Sequence, residues 1–298
     1  MTGEAGWNAQ DVAIRRTVAD GIATITLDRP ERRNAMTRAM VHQLCAELDA
    51  VDADDGIRAV IVTGVGRSFC AGADLGNPAA FGRGEERADR TRRDVGGYLA
   101  LRIFTCRKPV IAAVNGDAVG IGATMTLPMD IRLASTSARY AFPFTRRGIV
   151  PETCASWFLP RVVGISRALE WTMYGGLIQA EEVLEAGLVR SLHNTDELLP
   201  AAHAVAVRIT SSGSPVSVAA TRRLLWQGLT NHHPMQSHQE ESGLLAALSG
   251  TPDATEGVRS FLEKRPPRFT SSPAAELPRF EDWWTVPDFS ALSPDTQP

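Results

Sequence analysis

The sequence has little of what marks a secreted, membrane or nucleic-acid-binding protein. Its 298 residues hold four cysteines, Cys45, Cys70, Cys106 and Cys154. No two are spaced as C-x-x-C and none stands near a histidine at zinc-ligand spacing, which leaves reduced thiols serving as small core residues and no metal site. Neither sign of charge dominates: 31 basic against 34 acidic residues give a formal net charge of −3. Such a balance does not suit a nucleic-acid or anionic-membrane surface. Met1–Asp11 lacks the basic start and apolar run of a signal peptide. No apolar run reaches the roughly 18–20 residues that cross a bilayer. The expectation is a soluble, cytoplasmic protein. Several catalytic loops are missing too. There is no G-x-x-x-x-G-K-[ST] and no G-x-S-x-G, and Gly120-x-Gly122 meets Met125 where a dinucleotide fingerprint needs glycine.

What is present is ordinary globular material, 44% hydrophobic and 22% charged. Asp20-Gly21 between Val12–Ala19 and Ile22–Leu27 predicts a hairpin. Met36, Met40, Leu44, Leu48 and Val51 predict a helix over Asn34–Val51. Ala59–Thr63 and Val110–Val114 predict buried strands, and Ile131–Ala134, Tyr140–Phe142 and Leu188–Leu192 predict further short ones. A helix is predicted over Tyr98–Thr105, and another begins at Gly120. Strand, loop and helix alternate at roughly fifty residues per unit, the pattern of a structural repeat rather than a sequence repeat. From Ser166 the texture turns helical, and Ser211-Ser212-Gly213-Ser214-Pro215 marks a break. The expected organisation is a core over 1–210, a helical region over 211–265 and a Pro/Ser-rich tail over 266–298 that packs through Trp283, Trp284 and Phe289.

Two glycine-bearing loops are the chemical candidates: Ser68-Phe69-Cys70-Ala71-Gly72-Ala73-Asp74-Leu75, and Asn115-Gly116-Asp117-Ala118-Val119-Gly120-Ile121-Gly122. Glycine lets backbone turn tightly and approach a ligand, and a helix start offers unpaired N–H donors to developing negative charge. Either loop alone is a weak signal and reads first as a tight strand-to-helix turn. Together with Asp28-Arg29-Pro30, Asn34-Ala35, Ala59–Gly64, Lys108–Gly116, Glu256-Gly257 and Phe261–Arg265, they make a sequence similar to the crotonase (enoyl-CoA hydratase/isomerase) family from about Val12 to Phe269.

The resemblance implies an α/β fold: a spiral of β-β-α units with a C-terminal helical region that assembles trimers, often paired into hexamers. It implies an acyl-CoA substrate, with coenzyme A arriving as part of that substrate and no tightly bound cofactor. It places the two oxyanion-hole N–H groups at Ala73 and Ile121, and CoA contacts at Ala71, Ala73, Asp74, Leu75, Gly76 and Ile121. Arg32 and Arg33 can meet CoA phosphates or form a solvated basic turn. The family's two hydratase glutamates fall on Thr124 and Phe144, neither of which does acid–base chemistry at neutral pH. Glu152 follows in Pro151-Glu152-Thr153, a context similar to the single catalytic glutamate of peroxisomal-type enoyl-CoA isomerases. Read structurally, it is a carboxylate at a helix N-terminus. Phe142, Phe144 and Trp157 would raise its pKa if they line the pocket. Asp130 reads as a strand-start or buried structural acid, Asp74 as a loop or helix-cap residue, Arg146 and Arg147 as shaping the acyl pocket or pairing with an acid, and His232-His233 as solvated or at a subunit contact. Three functions remain open: an isomerase, a hydratase with a rearranged acid and base, and an acyl-CoA-binding homologue without turnover.

Overall fold

The computed structural model describes residues 13–76 and 93–277. The glycine-rich stretch after Gly76, most of the charged residues 85–93 and the tail aromatics Trp283, Trp284 and Phe289 lie outside the described residues.

The hairpin forms as the sequence predicts. Strands β1 (Ile14–Ala19) and β2 (Ile22–Leu27) pair antiparallel, with Ala19 opposite Ile22. Asp20 and Gly21 both take positive φ, 52° and 72°, so the two-residue turn follows the twist of the strands. Strands β3 (Ala59–Gly64) and β4 (Ser68–Cys70) follow, then β5 (Val110–Val114), β6 (Asp117–Val119), β7 (Ile131–Ser135), β8 (Arg139–Ala141), β9 (Leu177–Gln179) and β10 (Ser191–His193). One sheet has the order β1-β2-β3-β5-β7-β10 and the other β4-β6-β8-β9. Three successive pairs, β3/β4, β5/β6 and β7/β8, each give one strand to each sheet. That is the spiral repeat.

The central strands of the large sheet are parallel and buried on both faces, which is why they read as unbroken apolar runs. Val60, Val62, Val110, Ala112 and Val114 join the main core. Their alternates Ala59, Ile61, Ile111 and Ala113 pack with Leu198, Ala202 and Ala206 of helix α7 (Thr195–Thr210). The main core is closed by α1 (Arg38–Ala53) and α2 (Val95–Thr105).

The first helix starts four residues later than predicted. Arg33 and Asn34 are left-handed, and the fully buried Asn34 side chain accepts from the Arg29 N–H and donates to the carbonyls of Val65 and Ser68. Thr37 then caps the helix by accepting from the Met40 N–H. Met36 therefore leaves the helical stripe and bridges to Ala73 instead. The strand predicted at Leu188–Leu192 lies at Ser191–His193, because Gly187 turns the chain at φ 73° and buries Leu188 and Val189.

Beyond α4 (Ala155–Val163), α5 (Ile165–Tyr174) and α6 (Ala180–Glu185), helices α8 (Pro215–Gly228), α9 (Pro234–Ser249) and α10 (Pro252–Leu262) form the C-terminal region. Asp130 anchors α8 to the core. Its carboxylate accepts from the Val110 N–H, from Arg222 at 2.8 Å and from the Trp226 indole. Arg222 also donates to the carbonyls of Ile103, Phe104 and Cys106. A short helix, α11 (Pro273–Glu276), opens the predicted tail. All four cysteines are unpaired, and burial pushes Cys70 and Cys106 up to about 12 and Cys45 up to about 11. No described helix is long and apolar enough to cross a membrane.

Candidate active site

The small sheet sets the floor of the site. Strands β4 and β6 are parallel, with Cys70 opposite Ala118. Ala73 and Ile121 each lie three residues beyond that pair, so the sheet register brings the two turns side by side. Glycines make the approach possible. Gly72 has φ 107°, and a Cβ there would sit 3.1 Å from the Val119 carbonyl. A Cβ on Gly122 would strike the Cys70 carbonyl. Gly120 takes φ 54° and ψ −122°, a combination that glycine adopts without steric cost.

Both turns leave a free donor. In the Met36–Ala73 bridge, Met36 donates to the Gly72 carbonyl and Asp74 donates to the Met36 carbonyl. Successive N–H groups of an extended chain point to opposite sides, so the Ala73 N–H faces away from that bridge. Ile121 opens the short helix α3 (Ile121–Thr124), where the first N–H groups have no partner within the helix. Among the described residues, neither the Ala73 nor the Ile121 N–H has an acceptor. Both residues line a cavity of about 410 Å³.

The same cavity is lined by Ala71, Asp74, Leu75 and Glu152, so the structure gathers most of the candidate residues. Gly76 and Arg33 are not among the lining residues. Arg33 is exposed, and its carbonyl accepts from the Ala71 N–H. Asp74 accepts from Arg29 at 3.1 Å and from the Gly76 N–H. Burial would raise its pKa, but the hydrogen bonds from Arg29 and the Gly76 N–H, together with the charges of Arg29 and Arg32, hold the carboxyl below its ordinary value. It is thus a loop residue tied to a cation. Thr124 is fully buried, its hydroxyl donating back to the Gly120 carbonyl. Phe144 lines the cavity, whereas Phe142 stacks on Trp171 and Trp157 packs with Phe104, Phe158 and Trp226. Of the three aromatics expected near Glu152, only Phe144 lines the cavity. Arg147 also lines it; Arg146 turns to the Tyr174 carbonyl and ring. His233 caps α9, its ring nitrogen accepting from the Met235 N–H.

Glu152 does not open a helix. Thr153 and Cys154 follow it in the left-handed region, φ 62° and 56°, and α4 begins only at Ala155. The structural reading of Glu152 as a helix N-terminal carboxylate is therefore corrected. Its carboxyl is pushed up to about 7, first by burial. The Asp94 carboxylate raises it further, while the Thr153 and Thr124 hydroxyls partly steady the charge. The Thr153 hydroxyl lies beside the Glu152 carboxyl at Gly96, and among the described residues it has no hydrogen-bond partner. Gly96 is the reason Glu152 fits, since a Cβ there would collide with the carboxyl.

Sequence reasoning missed Asp94, Gly96 and Arg38, all of which line the cavity. Asp94 carries a readable signal: an aspartate directly before a helical run is a preferred cap. Reading that run as starting at Tyr98 hides it.

Two sheets fed in turn by successive strand pairs, with paired free N–H donors and a half-buried carboxyl around one cavity, define an enzyme built on the two-sheet α/β spiral. Residues 17–272 match the family model described as enoyl-CoA hydratase/isomerase. An enoyl-CoA hydratase of Alternaria alternata is 47% identical over 252 residues, 84% of this chain and 83% of that protein. The 1,2-epoxyphenylacetyl-CoA isomerase of Escherichia coli is 35% identical, over 85% of this chain and 96% of that protein. Among solved structures, a probable enoyl-CoA hydratase/isomerase from Mycobacterium abscessus superposes with a TM-score of 0.78 at 35% identity, covering 87% and 98% of the two chains. The chain belongs to the crotonase (enoyl-CoA hydratase/isomerase) family and is an enzyme acting on acyl-CoA.

Proposed function

We propose that this chain catalyses isomerase-type proton transfer on a β,γ-enoyl-CoA thioester, with Glu152 as the acid–base group and the Ala73 and Ile121 N–H groups holding the thioester oxygen. The observation that carries this reading is the shared cavity: one carboxyl, pushed up to about 7, faces the space bordered by two unpaired N–H donors. A base with a pKa near the working pH both accepts and returns a proton efficiently. The ionised Glu152 carboxylate takes the α-proton. The electron pair moves into the carbonyl, and the N–H pair stabilises the enolate oxygen. The protonated carboxyl then delivers the proton to the γ-carbon, giving the conjugated thioester. Coenzyme A takes part only as the thioester carrier.

Thr124 and Phe144, at the hydratase positions, support the isomerase reading over water addition, since neither can activate water. The hydratase reading has its own support in the names of several relatives and in Asp94, a second carboxyl beside Glu152. Incubation with β,γ- and α,β-enoyl-CoA, followed by absorbance of the conjugated thioester, separates the two. Conversion of the first is expected, with a fall of about 10²–10⁴-fold in Glu152→Gln. Full activity in that variant, or hydration of the α,β-substrate alone, overturns the isomerase reading. The proposed assembly is a homotrimer or a pair of trimers joined through residues 211–265, and sedimentation velocity measures it.

A further inference from the structure

We propose that Asp94 is a positioning residue for Glu152: it pins the left-handed Thr153–Cys154 turn and supplies the negative charge beside the Glu152 carboxyl. The inference rests on the role proposed for Glu152 and adds a second residue to it.

Three observations carry it. Asp94 caps α2, its carboxylate accepting from the Gly97 N–H at 2.6 Å. The same oxygen accepts from the Thr153 N–H at 3.2 Å, a bond that joins positions 59 residues apart. Two consecutive left-handed non-glycine residues are a costly conformation that persists only where neighbouring structure holds it. The Asp94–Thr153 bond is such a hold, placed directly after Glu152. The third observation is Gly96, whose missing Cβ lets the Glu152 carboxyl lie against the first turn of α2. Asp94 and Glu152 line the same cavity wall.

The charged and titratable groups around Glu152 come from several elements. Arg93 precedes Asp94, Cys154 belongs to the Glu152 turn, and the buried Cys70 lies beneath on β4. Arg147 borders the cavity after β8, and Arg38 borders it from α1. Asp74 lines the same cavity but is tied to Arg29, and Asp94 is the acid that opposes ionisation of Glu152. It therefore favours a carboxyl that holds a proton long enough to return it.

The test is the pH dependence of kcat/KM in wild type, Asp94→Asn and Asp94→Ala. Asparagine is as good a helix cap as aspartate, so Asp94→Asn keeps the fold and removes the charge. The acid limb of the profile is expected to move down by about one pH unit in Asp94→Asn, as for loss of a neighbouring like charge. Asp94→Ala, which also loses the Thr153 bond, is expected to lower kcat by at least about tenfold beyond Asp94→Asn. A limb that stays in place in a folded Asp94→Asn variant overturns the proposal. Where turnover is too low for a profile, carbon-13 NMR of glutamate-labelled protein follows the carboxyl directly, with Glu152→Gln identifying the resonance. An unmoved titration there has the same meaning. If Glu152→Gln keeps full activity, the reading of Glu152 fails instead, whatever Asp94 does.

Discussion

The two halves of the site are built on different logic. One half is backbone: the turns after β4 and β6, placed by sheet register and held close by Gly72, Gly120 and Gly122. The other half is side chain: Glu152, beside a strained turn and against the first turn of α2. On the proposed reading the backbone half can carry isoleucine at position 121, because the group offered there is an N–H. On the same reading the side-chain half has no such tolerance, since a carboxyl at Glu152 rather than at the hydratase positions would reach a different proton. On this reading a fold keeps its means of stabilising an enolate while its acid–base chemistry is exchanged.

The largest effect that tests this division is expected at Gly122. A Cβ there strikes the Cys70 carbonyl, which belongs to backbone and cannot rotate away. Gly122→Ala should push the two turns apart and cost about 10²–10³-fold in kcat/KM, the loss typical of one oxyanion donor. Gly250→Ala serves as the control, since nothing lies within 4 Å of its Cβ position. Unchanged kinetics in Gly122→Ala, measured on a variant with a normal thermal melt, would show that the spacing of the two turns is not what binds the thioester.

The same division explains what the sequence disclosed. Strands at Ala59–Thr63 and Val110–Val114 were legible because burial on both faces writes an apolar run. The Asp20-Gly21 hairpin was legible because its turn demands those residues. Strands β4 and β6 are three residues each and embedded among glycines, so they read as loop. Met36 fits a helical period yet lies outside the helix, because a buried side chain, Asn34, sets the backbone there and no local pattern reports it. In the site, Ala73, Ile121 and Glu152 were found through family motifs. Asp94 and Gly96 were not, because their part depends on a contact between residues more than fifty positions apart. Asp130 was recognised as structural, but its tie to Arg222 spans 92 positions and is invisible in sequence.

A second way to sharpen the contrast uses stability rather than rate. The folded Glu152 carboxyl keeps its proton up to about 7, against an ordinary value of 4.5. Folding therefore favours the protonated form. That stabilisation is fully present below pH 4.5 and is lost as pH rises through about 7. A glutamine cannot ionise and does not lose it. Glu152→Gln should match wild type near pH 4.5 and exceed it by about 1–3 kcal/mol at pH 8. Thermal melts at the two pH values measure this. Wild type being the more stable at pH 8 would mean that the carboxyl meets a cation there, and the side-chain half would need redrawing.

The smallest effect is expected at Ile121, and its smallness is the point. Ile121 is buried, and its side chain belongs to the main core, while its N–H borders the cavity. Ile121→Val removes one buried methylene and leaves the backbone donor untouched. It should cost roughly 0.5–1.5 kcal/mol of stability. Its kcat/KM should stay within about threefold of wild type, because no interaction made only in the transition state is removed. Denaturant melts and steady-state kinetics on one preparation give both numbers. A loss of rate much larger than the loss of stability would show that the side chain, not only the N–H, shapes the bound thioester. The backbone half of the site would then share the side-chain dependence of the other half.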